Sequence, residues 1–233
     1  MLPISDAGAR PGRVPIVTIA LITLNILVFL YQISLSTRAL ERAVLAYGVI
    51  PFEITSGRDL PPVIPWPIWT TLFTSMFMHG GWMHIIGNML YLWIFGDNIE
   101  DALGHAIYFV FYLVCGLAAA GAQIFADPAS TIPSIGASGA VAGVLGAYLL
   151  LYPNHRINSL IFLGYFVRVV QLPAVLVLGF WIVIQLFSGV ASAGAQTDVA
   201  YWAHVGGFFM GMVLILPAFI TQRRRASKRS YEW

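Results

Sequence analysis

Charged residues are scarce in this 233-residue chain, where Asp, Glu, Lys and Arg together make up 9% of the sequence. A typical soluble domain is about 25% charged and about 45–50% apolar, whereas this chain is 59% hydrophobic with a mean hydropathy of +0.82. So few charges could not cover a water-soluble protein of this length, which excludes a soluble globular enzyme and a disordered chain. The 12 basic and 10 acidic residues also leave no broad basic face for nucleic acid.

Cysteine is also nearly absent. The single Cys115 lies inside an apolar run, which excludes a disulfide framework and a cysteine-rich metal site. What remains is a polytopic membrane protein, because a bilayer-spanning helix requires about 20 predominantly apolar residues. No cofactor is expected.

Six apolar stretches approach that length, at approximately 15–34, 77–96, 106–126, 137–152, 169–188 and 201–221. The runs are continuous rather than alternating, so they predict helices rather than barrel strands. A further apolar segment, 157–167, is too short to cross and is expected to lie at the membrane interface. We therefore predict an all-α membrane protein with six spans in residues 15–221, between an N-terminal segment, 1–14, and a basic tail, 222–233.

Basic residues near the span ends predict the orientation of the chain. Arg10 and Arg13 precede the first span, and a basic run at 223–229 follows the last. Both termini are therefore expected in the cytoplasm, with a bacterial inner membrane as the expected location. The long first loop, 35–76, is rich in proline and tryptophan, so it is expected to be partly helical and partly embedded in the outer leaflet.

Polar side chains inside spans are costly, so each is a functional hypothesis by default. The first occurs in SIGASG, residues 134–139, where a loop becomes the fourth span and Ser138 is expected in the first turn. Unpaired N–H groups at a helix N-terminus favour negative charge, which suits a serine nucleophile whose attack creates an oxyanion. The G-x-S-x-G elbow of soluble hydrolases is not matched, since Ala140 stands at its last position. A serine that only caps the span is the alternative.

The second polar group is His204, at the start of the sixth span. A histidine that only hydrogen-bonds a neighbouring helix is the alternative. The fourth and sixth spans both enter from outside, however, so Ser138 and His204 are expected at the same face and similar depth. Small residues let membrane helices approach closely, and such residues line both spans: Gly139, Gly143 and Gly146 in the fourth, Gly207 and Gly211 in the sixth. Close approach is what a Ser–His hydrogen bond of roughly 2.6–3.2 Å requires.

The third site holds His84 and Asn88, which are four residues apart and so share one face of the second span. Both side chains can donate hydrogen bonds to an oxyanion. A zinc site is the alternative, because two histidines at this spacing often bind zinc. Asn88 is a poor zinc ligand and His79 stands five residues from His84, so we expect no metal.

A serine, a base and a pair of donors are the minimum parts for acyl transfer. No orienting carboxylate lies within the spans, and Asp198, six residues before His204, lies in the outer loop. The residues therefore predict a Ser–His dyad.

These motifs resemble the rhomboid family of intramembrane serine proteases over roughly residues 15–221. GASG at 136–139 is similar to the family's G-x-S-G, whose serine is the nucleophile, and AHVGGFFMG at 203–211 is similar to A-H-x-G-G-x-x-x-G, whose histidine is the general base. HIIGN at 84–88 is similar to H-x-x-x-N, whose members serve the oxyanion hole. EDALG at 100–104 resembles a structural E-x-x-x-G element.

Two positions depart from the pattern. Trp69 is followed by Thr70 where many relatives have arginine, and Ala142 stands four residues after the serine, where some relatives have an aromatic residue under the histidine ring. The first changes a side chain of the loop and none of the candidate catalytic residues. The second implies that helix packing places the histidine instead.

The resemblance implies a serine endopeptidase that hydrolyses a peptide bond in or near the transmembrane segment of a membrane protein. The expected partners are single-span or polytopic membrane-protein substrates and the lipid bilayer, with no nucleic acid. A noncatalytic rhomboid-like chaperone or binding protein is the alternative, and a small transporter is a further one. A transporter should show a polar path to the cytoplasmic half of its spans.

Overall fold

The computed structural model describes residues 2–8, 12–163, 166–192 and 199–229. Within these residues the chain is mostly helical, with three strands. The longer helices are α1 (Ile16–Ser34), α5 (Trp82–Leu103), α6 (His105–Ala126), α7 (Ser138–Leu151), α8 (Ala174–Ala191) and α9 (Tyr201–Arg229). The shorter helices are α2 (Thr37–Tyr47), α3 (Pro51–Ser56) and α4 (Thr71–Thr74), and the strands are β1 (Leu2–Asp6), β2 (Arg156–Leu163) and β3 (Phe166–Pro173).

Four helices in the described ranges are long and apolar enough to cross a membrane: Ile16–Ser34, His105–Ala126, Ala174–Ala191 and Tyr201–Thr221. The other two predicted spans correspond to α5 and α7. Polar side chains such as His84, Asn88 and Asp97 lower the hydropathy of α5. Helix α7 has 14 residues, so it is about 21 Å long at 1.5 Å per residue.

Contacts at the two ends of α1 show its direction relative to α5. Near the start of α1, Glu100 from the last turns of α5 accepts hydrogen bonds from the Val17 and Thr18 N–H groups, both at 2.8 Å. Near the other end of α1, the Gln32 side chain bonds the main chain of His79, just before α5. Helices α1 and α5 are therefore antiparallel, and Glu100 satisfies two N–H groups that a helix start leaves without partners.

Helix α7 is the centre of the bundle. Its residues from Gly139 to Tyr148 are all buried, and glycines bring its backbone against α6 and α9. A Cβ at Gly143 would lie 2.5 Å from Cys115 of α6, and a Cβ at Gly207 would lie 2.0 Å from the Gly139 carbonyl oxygen. The helix that begins with Ser138 is thus enclosed by protein on all sides.

The three strands correct the prediction of an all-α protein. They form an antiparallel sheet in the order β1-β2-β3, and β3 occupies residues that we expected to begin the fifth span at 169. The reason is local, because the segment is rich in the branched residues Val167, Val169 and Val170 and is interrupted by polar Arg168 and Gln171, which suits a strand. A count of apolar residues does not distinguish such a strand from the first turns of a membrane-spanning helix. Helix α8 accordingly begins at Ala174, after Pro173.

Strand β1 is hydrogen-bonded to the end of the bundle opposite Ser138. The Tyr148 hydroxyl donates to the Asp6 carboxylate, and the Asn98 amide donates to the same carboxylate at 3.2 Å. Part of the predicted segment 1–14 is thereby joined to α5 and α7. At the other boundary of the predicted spans, α9 continues past residue 221 to Arg229.

The first loop is partly helical, as predicted. It contains α2, α3, α4 and two short 3-10 helices, Ile68–Thr70 and Ser75–Phe77. The Thr74 hydroxyl donates to the Tyr47 carbonyl at 2.7 Å, and the Tyr47 and Trp66 rings stack with their centroids 5.2 Å apart. These contacts tie the two ends of the loop together, while its embedding in the outer leaflet stays a prediction.

Candidate active site

Ser138 is the first residue of α7, and the two residues before it are held in a tight turn. Gly136 has φ +129°, a region that favours glycine, and its N–H donates to the Ser75 carbonyl at 2.9 Å. A Cβ at Gly136 would lie 2.6 Å from Nε2 of His84. Glycine at this position therefore lets the His84 ring lie directly against the turn that presents Ser138.

The helices that carry Ser138 and His204 are in backbone contact. A Cβ at Gly211 would lie 1.9 Å from the Gly143 carbonyl oxygen, and a Cβ at Gly207 would lie 2.0 Å from that of Gly139. These pairs run in the same order along both helices, so α7 and α9 are parallel and begin at the same end. The close approach expected from the glycine spacing is confirmed.

Ser138 and His204 line one cavity of about 1370 Å³. Ser138 is half-buried. The backbones next to Ser138 and His204 are close to each other, since a Cβ at Gly139 would lie 3.7 Å from the Ala203 carbonyl oxygen. Among the described residues, no hydrogen bond joins the Ser138 hydroxyl to the His204 ring. In ligand-free sites such bonds are often long and shorten only when substrate binds.

The His204 ring is held from the side by α8. Its Nδ1 lies 2.7 Å from Oε1 of Gln185, and its ring centroid lies 5.7 Å from that of Trp181, with 38° between the planes. Sequence reasoning missed both residues. Gln185 could have been found by the rule applied to Ser138 and His204, because it is a polar side chain inside an apolar helix.

His84 and Asn88 both line the same cavity, from α5. Nδ1 of His84 accepts a hydrogen bond from the Gly80 N–H at 3.3 Å. The Asn88 side chain is buried, and within the described ranges its Nδ2 has no hydrogen-bond partner. A buried amide donor without a partner is unfavourable unless something binds it, and Asn88 is one of the residues that line the cavity.

His79 does not join these residues in the cavity lining. It is buried, its ring packs edge-on against His84 with centroids 5.1 Å apart, and its main chain is held by Gln32 through bonds of 3.0 and 3.1 Å. It therefore supports the start of α5. In the part of the chain that the structure describes, no three His, Cys, Asp or Glu side chains are grouped closely enough to hold a metal ion.

The two departures from the family pattern have local explanations in the fold. Ala142 is buried within α7, and the aromatic ring beside His204 comes from Trp181 of α8 instead. Thr70 ends a 3-10 turn, and its hydroxyl donates to the Pro67 carbonyl at 2.8 Å. Asp198, the carboxylate nearest to His204 in the sequence, lies outside the described residues.

The arrangement supplies the groups that acyl transfer requires. A hydroxyl at a helix N-terminus and an imidazole line one cavity, and α5 adds an amide donor and a second imidazole to its lining. The ring nitrogen of His204 that is not bonded to Gln185 is free to accept a proton if Nδ1 carries one. Ser138 could then act as a nucleophile and Asn88 as an oxyanion donor.

Comparisons with known proteins show which proteins the chain is similar to. The family model described as "Rhomboid domain" matches residues 67–220, which is more than half of the chain. The chain is 26% identical over 225 residues to "Rhomboid protein 1, mitochondrial" of Saccharomyces cerevisiae, covering 92% of this chain and 57% of that protein. It is 28% identical over 214 residues to "Rhomboid protease GluP" of Bacillus subtilis, covering 91% and 38%.

A plant relative is more similar over a shorter stretch. "RHOMBOID-like protein 1" of Arabidopsis thaliana is 30% identical over 197 residues, covering 82% of this chain and 46% of that protein. The chain thus spans only about 38–57% of the length of these three relatives. Their names include a protease and a rhomboid-like protein, so the names alone do not decide whether this chain is catalytic.

Proposed function

This chain belongs to the rhomboid family, and from that premise we propose that it is an intramembrane serine endopeptidase. Its substrates would be single-span or polytopic membrane proteins, cut in or near a transmembrane segment. The observation that carries the proposal is that Ser138 and His204 line one cavity with the unpartnered amide of Asn88. A serine at a helix start, a histidine and an amide donor on one cavity are the groups that acyl transfer uses.

In this proposal the reaction begins at the Ser138 hydroxyl. His204 takes the hydroxyl proton as Oγ attacks the peptide carbonyl carbon, which forms a tetrahedral intermediate with a negative oxygen. The Asn88 amide, His84 and the Ser138 N–H donate hydrogen bonds to that oxygen. The intermediate then collapses, His204 protonates the leaving amine, and water hydrolyses the acyl-enzyme by the reverse sequence of proton transfers.

Two features of the fold support peptide-bond hydrolysis at a membrane. Helices α7 and α9 begin at the same end of the bundle, so water can reach both residues from that side through the cavity. The helix-forming backbone of a substrate must open before its amide can be attacked, because its carbonyls are bonded within the helix. We therefore expect cleavage near small or helix-breaking residues.

The proposal includes six spans, formed by α1, α5, α6, α7, α8 and α9, with both termini in the cytoplasm. Helix α7 can be short because it is surrounded by protein and its ends need not reach lipid headgroups. We also propose a bacterial inner membrane as the location. The relatives come from bacteria, mitochondria and chloroplasts, so cell fractionation with a C-terminal reporter is the test of both location and orientation.

The test of function is cleavage of a single-span model substrate by purified protein in detergent. Wild type should cleave, and Ser138→Ala should abolish cleavage while unfolding at an unchanged temperature. The matched control is Ser34→Ala, at the exposed end of α1 and outside the cavity, which should cleave like wild type. Retained cleavage by Ser138→Ala would contradict the proposal, and a wild type that binds the substrate without cutting it would favour the noncatalytic alternative.

A further inference from the structure

Gln185 is a polar side chain in the middle of an apolar helix. It is buried, and its Oε1 lies 2.7 Å from Nδ1 of His204 across the contact between α8 and α9. Burying an amide in a membrane helix is unfavourable unless it is hydrogen-bonded. Within the described residues, the amide oxygen of Gln185 makes this bond to the histidine ring.

The atoms in this contact determine which nitrogen of His204 carries the proton. With the amide oriented as it is in the structure, Oε1 can only accept, so Nδ1 donates. In a neutral imidazole the other nitrogen, Nε2, then has a free lone pair, which is the form that can take a proton from a serine. A serine triad uses a carboxylate at Nδ1 for the same purpose, and no carboxylate contacts His204 within the described residues.

The packing of α8 holds Gln185 in place. Trp181, one turn earlier on the same face, packs against His204, and it also packs against Phe208, with ring centroids 6.0 Å apart. One turn later, a Cβ at Gly189 would lie 3.3 Å from Cε2 of Trp202. Contacts on both sides of Gln185 thus press one face of α8 against the first turns of α9.

We propose that Gln185 is a positioning residue that holds His204 with its proton on Nδ1 and its Nε2 directed to the site of Ser138. The proposal rests on the assignment of His204 as the general base. It replaces the plain dyad expected from the sequence with a Ser–His pair oriented by a neutral amide. In this proposal Trp181, which packs against the His204 ring, limits its rotation.

The experiment compares kcat and KM for cleavage of the single-span substrate by three variants of the purified, full-length protein. Gln185→Met keeps the length of the side chain and removes the acceptor. Gln185→Glu keeps an acceptor oxygen and removes the amide N–H₂ group. The matched control is Ile184→Met, because Ile184 is the preceding residue of α8 and its side chain is 41% exposed on the outer surface.

We expect kcat of Gln185→Met to fall about tenfold with KM within twofold of wild type, since one hydrogen bond and the tautomer preference are lost. Gln185→Glu should recover most of kcat, and Ile184→Met should match wild type. The unfolding temperature of each variant is measured in parallel. If Gln185→Met is too unstable to assay, Gln185→Glu is compared with wild type, and a tenfold lower kcat in that variant would overturn the proposal.

Two results would overturn the proposal. Wild-type kcat in Gln185→Met would show that the contact does not orient the base, and a kcat of Gln185→Glu as low as that of Gln185→Met would show that an acceptor is not what His204 needs. Failure of the proposed function is a different result, because it would appear as an inactive wild type. An active wild type that is indifferent to Gln185 would refute only the role of Gln185.

Discussion

Replacing Gly211 with alanine should separate the two helices that carry Ser138 and His204. The new Cβ would lie 1.9 Å from the Gly143 carbonyl oxygen and 2.5 Å from its carbonyl carbon, whereas ordinary contacts begin at 3.4 Å. Both neighbouring atoms belong to the backbone, so no side chain can rotate away. The helices must therefore move apart by roughly 1.5 Å at this level.

That displacement determines how much stability and cleavage rate we expect the variant to lose. Overpacking of a close contact lowers stability by about 1–3 kcal/mol, and alanine returns about 1 kcal/mol through its better helix propensity. Gly211 lies about two turns beyond His204, so the shift would move the proposed catalytic pair, Ser138 and His204, without a direct contact to either residue. A misplacement of about 1 Å lowers the rate about 100-fold, and we expect a loss of that order in cleavage rate.

The assay is steady-state cleavage of the single-span substrate, with thermal unfolding of the same samples in detergent. Gly179→Ala is the matched control, because it also changes a glycine to alanine within a helix, but its Cβ would meet nothing within 4 Å. It should retain activity and be as stable as wild type or slightly more so. Wild-type rate and stability in Gly211→Ala would refute the claim that backbone contact between α7 and α9 aligns the site.

Two further variants test the oxyanion donor and the anchor of α1. Asn88→Leu removes the unpartnered buried amide and should lower kcat about 100- to 1,000-fold, with KM nearly unchanged, in the same cleavage assay. An increase in KM with wild-type kcat would contradict the role of Asn88 as an oxyanion donor. Glu100→Leu leaves the Val17 and Thr18 N–H groups unsatisfied and should destabilise the fold by about 2–4 kcal/mol. Glu100→Gln keeps one acceptor and should lose less, and equal unfolding temperatures for the two variants would contradict that reasoning.

The apolar runs predicted the long helices where hydropathy and structure agree. The expected spans at 15–34 and 106–126 correspond to Ile16–Ser34 and His105–Ala126, because those segments are continuously apolar and end at polar or helix-breaking residues. The run at 169–188 misled us at its start, since Val169 and Val170 are equally apolar in a strand and in a helix. What decided between the two states is pairing with the preceding strand, β2, which a count of apolar residues in this run does not include.

The candidate site was predictable only in part, for a similar reason. Ser138 and His204 stand at helix starts beside glycines, and that local pattern carries a chemical meaning. The contact of Gln185 with His204 joins residues 19 apart on two helices, so it depends on how α8 rotates against α9. The aromatic ring beside the histidine likewise comes from Trp181 of α8, a position that no local motif around Ser138 or His204 includes.

Labelling with a serine-directed fluorophosphonate tests the central claim most directly, because it requires a nucleophile, a base and access from water together. Wild-type protein in detergent should gain one adduct, mapped by mass spectrometry to Ser138, and labelling should be lost in Ser138→Ala and strongly slowed in His204→Ala. An unlabelled but folded wild type, or an adduct that persists in Ser138→Ala, would contradict the account.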